Sequence, residues 1–447
     1  MAQESFKNKL VNFFGVKNIV RSLRYRNYRL FFYGQSISLI GTWIQRITVP
    51  WLVYRLTGSV FLLGLVGFAG QIPTFLMSPF AGVLIDRWNR HKILVITQIL
   101  ALIQALILAV LFYEKSISVW HIAILSVVLG VINAFDMPAR QSFVVDMIEK
   151  KEDLGNAIAL NSSMVNSARL IGPSIAGVLI SLTGEGMCFL INAVSYIFVI
   201  GFLLMMKIKP RKIAAQNTNG YQKFKEGFSY TFGFIPIRYI ILLLALVSLM
   251  GMPYTVLMPV FAKTILHGGS HTFGFLMGAS GIGALMGAIY MASRRSAAGL
   301  EKFIPWFAAI FGLGLILFSL SANFILSMFL MLITGFGMLM QMTSSNTILQ
   351  TIVDDDKRGR VMSFYTMAFM GTAPFGSLLA GALASKVGAQ NTLLIGGVAC
   401  ILGALVFFRK LPDIKKSIRP IYIRLGIAPV IVTGIEVASE LTNPPVE

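Results

Sequence analysis

Three ionisable residues, Arg46, Asp136 and Arg169, stand deep inside long apolar runs of the sequence. Each costs about 3 kcal/mol to hold at bilayer depth, so each is there to bind a solute, to carry a proton, or to pair. Asp136 is the only acid deep within such a run, which makes it the candidate proton-carrying group. Arg46 and Arg169 can donate charge-assisted hydrogen bonds to carboxylate or catecholate oxygens. At ~1.5 Å per residue Asp136 and Arg169 lie at similar depths, so a permanent Asp136–Arg169 ion pair stands open beside a transport role. Arg46, nearer the other side, can alternatively snorkel to the interface.

Other chemistries lack their residues. No segment ends in Gly-Lys-Ser or Gly-Lys-Thr in a phosphate-loop pattern, so ATP is not hydrolysed by this chain. The four histidines, His91, His121, His267 and His271, have no metal-ligand spacing with carboxylates or cysteines. There is no nucleophile–base signature. Cys188 and Cys400 fall within apolar runs and read as small core residues rather than a disulfide framework. No metal, cofactor or enzymatic activity is expected.

The elements that must position these residues are membrane helices. With 56% apolar and 13% charged residues among 447, the chain has too little polar surface for a soluble protein. Twelve apolar runs of bilayer-spanning length are read at residues 30–54, 60–85, 93–112, 119–147, 154–182, 187–206, 239–262, 273–292, 303–320, 324–353, 361–385 and 391–408. Basic residues collect in every second connection, for example Arg87, Arg90 and Lys92, or Lys357, Arg358 and Arg360. The opposite parity holds only Arg55, Lys115, Lys263 and Lys386. Basic connections stay in the cytoplasm, so both termini are expected there. The net charge of +20 is that asymmetry facing anionic headgroups, not a nucleic-acid surface.

The expected organisation is a basic cytoplasmic segment (1–29), a six-helix half (30–206), a linker (207–238), a second six-helix half (239–408) and a cytoplasmic tail (409–447). Phe6, Leu10, Phe13 and Phe14 among lysines predict a short interfacial helix, as do Phe224, Phe228 and Phe232 at four-residue spacing in the linker. The first apolar run is a full crossing rather than a cleavable leader. The tail, interrupted by Arg424, Pro429 and Gly434, reads as an interfacial or loosely ordered extension. Residues 141–177 and 346–381 share an order of acidic patch, polar turn and Pro-containing helix, which suits two related halves around a midplane site.

Between the second and third runs, Gly82-Val83-Leu84-Ile85-Asp86-Arg87-Trp88-Asn89-Arg90-His91-Lys92 resembles the signature loop of the major facilitator superfamily, G-x-L-x-D-R-x-G-R-[RK]-[RK]. Gly82 permits close helix packing, Asp86 can accept hydrogen bonds at a helix end, and Arg87, Arg90 and Lys92 supply cations for it. Asn89 replaces a glycine and is expected to keep a left-handed turn. Ser293-Arg294-Arg295 in the second half carries no matching acid, so a cytoplasmic latch would be asymmetric. Gly172-Pro173, with Gly177 one turn on, resembles the antiporter motif of superfamily exporters, although alanines replace two of its glycines. The stretch from Ala134 to Gln141, followed by Asn156-Ala157 and Ala159–Ser162, is similar to the branch of enterobactin exporters and macrolide efflux proteins. The arginine that many drug/proton antiporters carry in helix 4 would fall at Ser126, so coupling is not transferable from that position.

The resemblance implies an all-α membrane protein in two pseudo-symmetric halves, with a cavity lined mainly by helices 1, 4, 7 and 10. Gln35, Trp43, Gln45, Gln71, Asn133, Tyr254, Gln341, Asn346 and Gln350 are available to that cavity, together with Met338, Met340 and Met342. It further implies secondary active export of a small organic solute across the bacterial inner membrane by alternating access, with proton antiport. Two deep arginines against one acid favour a siderophore-like anion. Multidrug or macrolide efflux, uptake, and a non-transporting sensor or scaffold are the alternatives. The implied partners are solute, protons and lipid, with a monomer as the expected state and no nucleic acid.

The resemblance of this loop predicts that a latch holding one conformation and releasing the other depends on Asp86. Asp86→Asn is expected to keep expression and folding while cutting transport heavily in proteoliposomes. Wild-type flux from well-expressed variant protein would remove Asp86 from that role.

Overall fold

A computed structural model describes residues 20–208, 220–294, 296–425 and 427. The expected N-terminal interfacial helix around Phe6–Phe14, and the tail beyond residue 427, lie outside the described residues.

The crossings are α1 (Arg26–Thr57), α2 (Val60–Arg87), α3 (Arg90–Tyr113), α4 (Val119–Met147), α5 (Leu154–Thr183) and α6 (Glu185–Leu204), then α7 (Ile235–Ile265), α8 (Ser270–Ser293), α9 (Leu300–Leu320), α10 (Phe324–Ile352), α11 (Lys357–Val387) and α12 (Ala389–Arg424). Eleven of them, α2 to α12, are long and apolar enough to span a bilayer. The remaining one, α1, has 32 residues but carries Arg46 with Gln35 and Gln45 within its length, the mark of a helix that faces something other than lipid.

Local sequence sets the turns. Gly58 ends α1 in the left-handed region at φ 62°, and the Ser59 side chain accepts from Leu62 N to start α2. Ser118 and His121 form a reciprocal cap at the start of α4, which accounts for that histidine. Where Pro253 and Pro374 withhold an N–H, the chain runs through π-helical turns at Val247–Gly251 in α7 and Met367–Gly371 in α11.

Helices α1 to α6 pack on one another, as do α7 to α12, and the halves meet mainly along α2 with α11 and α5 with α8. Three differences from the sequence expectation arise at the basic ends of the helices. Helix α12 does not stop at Phe408 but continues to Arg424, because Ile414, Ile418 and Tyr422 recur at helical spacing and are buried. Tyr422 Oη donates to Ala297 O and Glu301 Oε2, and Arg424 reaches Asp354 at 3.4 Å. The linker helix, Gly220–Gly233, is seated on protein: Phe228 and Phe232 pack against Phe364, Glu226 pairs with Arg360 at 2.8 Å, and Lys357 lies over the Tyr230 ring. Asn89 is not left-handed; at φ −70° and ψ 109° it is the extended N-cap of α3, its side chain accepting from Lys92 N. A cap demands a short side-chain acceptor, which Asn supplies as glycine cannot.

The first half has a comparable tie. The 3-10 turn Arg21–Arg24 folds onto the loop before α5, where buried Asp153 meets Arg21 Nε at 2.9 Å, Tyr25 Oη at 2.7 Å and the Arg24 guanidinium. The Tyr25 hydrogen bond, then the charges of Arg24 and Arg21, hold the Asp153 carboxyl below its usual range against the opposing effect of burial. A depressed carboxylate pKa stabilises the fold above the unfolded value of about 3.9 and loses that contribution as pH falls through the folded value. Asp153→Asn is therefore expected to lower the melting temperature of detergent-purified protein at pH 7. The gap from wild type should stay constant down to about pH 4 and close below it. A gap that widens on acidification would contradict the assignment.

Candidate functional site

The halves close on each other at the end opposite the basic one. A Cβ on Gly64 would lie 2.5 Å from Ser377 O and 2.8 Å from Gly381 Cα, and one on Gly177 would lie 2.8 Å from Gly274 Cα. Backbones therefore touch across both seams, a distance only glycine permits. Tyr54 Oη and Thr264 Oγ1 at 2.7 Å, Ser270 Oγ donating to Gly177 O, and the stacked Trp51 and Phe273 rings seal the same end. Among the described residues no hydrogen bond or ion pair joins the halves near the basic end. The molecule is closed at one face and parted at the other.

Arg46 sits in the cleft this creates. It begins some 30 Å along α1 from Arg26, yet it is solvent-exposed, with its guanidinium 4.9 Å from the Trp43 ring centroid. Trp43 is placed by α5: a Cβ at Gly172 would fall 2.5 Å from Trp43 Cβ. Pro173, next in sequence, has no N–H for the carbonyl of Arg169 and loosens α5 at that turn. The like charge of Arg169 acts on Arg46, and the same Arg169 acts on Tyr254 of α7. Among the described residues neither arginine has a carboxylate partner. Arg46 and Arg169 are thus two cations within electrostatic reach of each other.

Asp136 is elsewhere, and its partner differs from the one expected. Its Oδ2 pairs with Arg140 Nη2 at 3.0 Å, one turn along the same helix, rather than with Arg169. Its Oδ1 accepts from Gln98 Nε2 at 2.7 Å and Thr97 Oγ1 at 3.0 Å. Arg140 also donates to Gln35 Oε1 at 3.2 Å, leaving Gln35 Nε2 without a partner. Asp136 is 4% exposed, while the Arg140 side chain retains 18%, so the arginine is the more accessible member of the pair. Arg140, Thr97 and Gln98 were not legible as site residues by type alone. The i,i+4 spacing of Asp136 and Arg140 was the available signal.

The uncharged candidates divide. Gln45 is turned into the core of the first half, donating to Gln104 Oε1 and accepting from Asn192 Nδ2. Tyr254 is 2% exposed, its hydroxyl on Ser280 and its ring against Phe311. Gln341 is buried with Nε2 on Ser345 and Oε1 unpartnered. Asn346 accepts from Gln350, and Gln71 donates to Ser377 across the seam. Trp43 and Asn133 are half-buried. Met338 and Met340 are packed at 2% and 0% exposure, so the expected methionine lining is core instead. At the gate, Arg90 pairs with Asp146 of α4 at 3.2 Å and Lys92 is exposed. Asp86 and Arg87 occupy the last turn of α2, but their side chains, like the surroundings of Gly82, lie outside the described residues.

Comparison with known proteins agrees with this geometry. A protein described as staphyloferrin A transporter, from Staphylococcus aureus, is 28% identical over 383 residues, covering 85% of this chain and 95% of the relative. Macrolide efflux protein A of Streptococcus pyogenes is 22% identical over 406 residues, covering 86% and 96%. Among solved structures, a bacterial homologue of the human lysosomal transporter Spinster, crystallised inward-facing and unoccupied, superposes with a TM-score of 0.69 at 15% identity, over 88% of this chain and 98% of that one. The family model described as transmembrane secretion effector matches residues 20–421, and with twelve helices in two halves closed at one end, the chain belongs to that family of major facilitator superfamily transporters.

Proposed function

We propose that the protein exports a small organic anion of siderophore-like polarity across a bacterial inner membrane, in exchange for protons. The observation that carries the reading is the pair of arginines, Arg46 and Arg169, without a carboxylate partner among the described residues, at the deep end of a cleft open on the basic side. A low-dielectric site holding two cations attracts anions and repels cationic drugs. The basic side is cytoplasmic on the positive-inside rule, so the cleft faces the compartment from which an exporter loads. The staphyloferrin A transporter relative supports the siderophore-like class over macrolides, and the burial of Met338 and Met340 removes the adaptable lining that suits a promiscuous drug site.

Asp136 is the proton site in this scheme, with Arg140 as the competing ligand. A proton and a guanidinium cannot both hold Oδ2, so an anion that draws Arg140 toward the cleft leaves the carboxylate to be protonated. Protonation in turn frees Arg140 for the anion. The two ligands are coupled through one shared partner.

Asp136→Asn in proteoliposomes should keep downhill anion exchange but lose accumulation driven by a proton gradient. Gradient-driven accumulation at wild-type level would relocate the coupling. Arg46→Gln is expected to weaken binding of an anionic substrate roughly tenfold or more without lowering the melting temperature. Unchanged affinity would make Arg46 a packing partner of Trp43 only.

A further inference from the structure

The three partners of Asp136 differ in which form of the acid they can serve. A guanidinium only donates, so Arg140, at 3.0 Å from Oδ2, serves only the ionised form. A primary amide donates at one end and accepts at the other. Gln98 reaches Oδ1 with Nε2 at 2.7 Å, and its Oε1 is buried without a partner, so accepting from the acid would require the whole amide to turn over. A hydroxyl carries one hydrogen and two lone pairs. Thr97 Oγ1 lies 3.0 Å from Asp136 Oδ1 and 3.0 Å from Leu94 O in the preceding turn of α3, and its single hydrogen can be given to only one of them at a time.

Those two positions of the hydrogen match the two protonation states. With Asp136 ionised, Thr97 donates to Oδ1. With Asp136 protonated and Arg140 withdrawn, the freed carboxyl can turn its O–H end to Thr97, whose hydrogen swings to Leu94 O while a lone pair of Oγ1 accepts from the acid. Within Thr97 only a hydrogen changes direction and no bond breaks; the added proton stays on Asp136. Thr97 is 5% exposed, so bulk water does not reach the site freely, and a buried O–H left without an acceptor is costly. Among the described residues, the titratable groups that face the acid are Arg140 on its own helix and Tyr196 of α6, on which both members of the pair act. From α1, Gln35 holds Arg140 rather than the acid. We infer that Thr97 is a positioning residue of the proton site, a hydroxyl switch that accepts from neutral Asp136 once Arg140 has left it. This rests on the reading of Asp136 as the proton carrier, and names the group that keeps the proton there.

The test is the acid-minus-neutral infrared difference spectrum of full-length protein in phosphatidylcholine nanodiscs, with no substrate and no gradient. The C=O stretch of protonated Asp136 is identified as the band that Asp136→Asn removes. Hydrogen bonding weakens that stretch, so Thr97→Val, which keeps the shape and removes the hydroxyl, is expected to move the band to higher wavenumber, and Thr97→Ser to leave it in place. Where Thr97→Val melts early, Thr97→Ala replaces it. Gradient-driven accumulation in proteoliposomes should fall roughly tenfold in Thr97→Val and stay within about twofold of wild type in Thr97→Ser. A band that Thr97→Val leaves unmoved marks a hydroxyl that serves only the ionised acid, and overturns the inference while Asp136 remains the proton carrier. So does a band that moves in Gln98→Leu but not in Thr97→Val, which would assign the acceptor to the amide. The absence of any band dependent on Asp136 overturns the proton-carrier reading, and the role of Thr97 with it.

Discussion

Two glycine pairs, Gly64 with Gly381 and Gly177 with Gly274, bring the halves into backbone contact at one end of the molecule. Everything about the site depends on that contact. Helices that touch at backbone distance at one end and diverge toward the other enclose a wedge, and the wedge admits water to side chains that lipid would otherwise surround. Arg46 is exposed deep within α1, with its guanidinium over the face of Trp43. In lipid there is no hydrophobic drive to push helices together, so close packing must supply the contact. The tolerance is correspondingly narrow: a methyl group at Gly64 would fall 2.5 Å from a backbone oxygen.

The halves share a fold but not its chemistry. All the deep charge is in the first half, where two layers of buried polar side chains also lie. The layer nearer the basic end holds Asp136 and Arg140 with Thr97, Gln98 and Gln35. In the other, Gln45, Gln104 and Asn192 satisfy one another across α1, α3 and α6. The second layer is a closed set of buried amides and acts as an internal clamp, since breaking one bond would leave partners unpaired in a low-dielectric core. The first is less complete: Gln35 Nε2 and Gln98 Oε1 have no partner, and Arg140 is the one member with appreciable exposure. A set with spare hydrogen-bonding capacity can be rearranged at lower cost than a saturated one.

Accessory segments give each half its own rigidity at the open end. In the first half the turn before α1 grips Asp153 and the loop leading into α5. In the second, the linker helix and the extension of α12 hold the start of α11 from two sides, through Glu226 with Arg360 and Arg424 with Asp354. These ties run within a half. Surface ion pairs of this kind contribute little stability individually, but each prevents its own loops from moving independently, so opening and closing is a movement of one six-helix body against the other.

Composition and one-dimensional pattern were enough, by themselves, to determine the architecture. The length of apolar runs set the number of crossings, the parity of Lys and Arg set which connections share a face, and Asp86 to Lys92 with Gly172-Pro173 pointed to the superfamily. The same pattern singled out Arg46, Asp136 and Arg169, because a charge in an apolar run is conspicuous without coordinates. Pairing between helices was not legible, since depth along a helix says nothing about azimuth. Asp136 and Arg169 share a depth, yet Asp136 turns to Arg140 on its own helix. Nor was the direction of a polar side chain: Gln45 and Trp43 are two residues apart in α1, and the rotation of about 100° per residue sends one into the core and the other toward the cleft. The extension of α12 was hidden by Pro412 and Pro420, which argue against a helix locally and were outweighed by the buried face of Ile414, Ile418 and Tyr422. Which faces meet, and which charges thereby see one another, is a property of packing, and tertiary structure alone decided it.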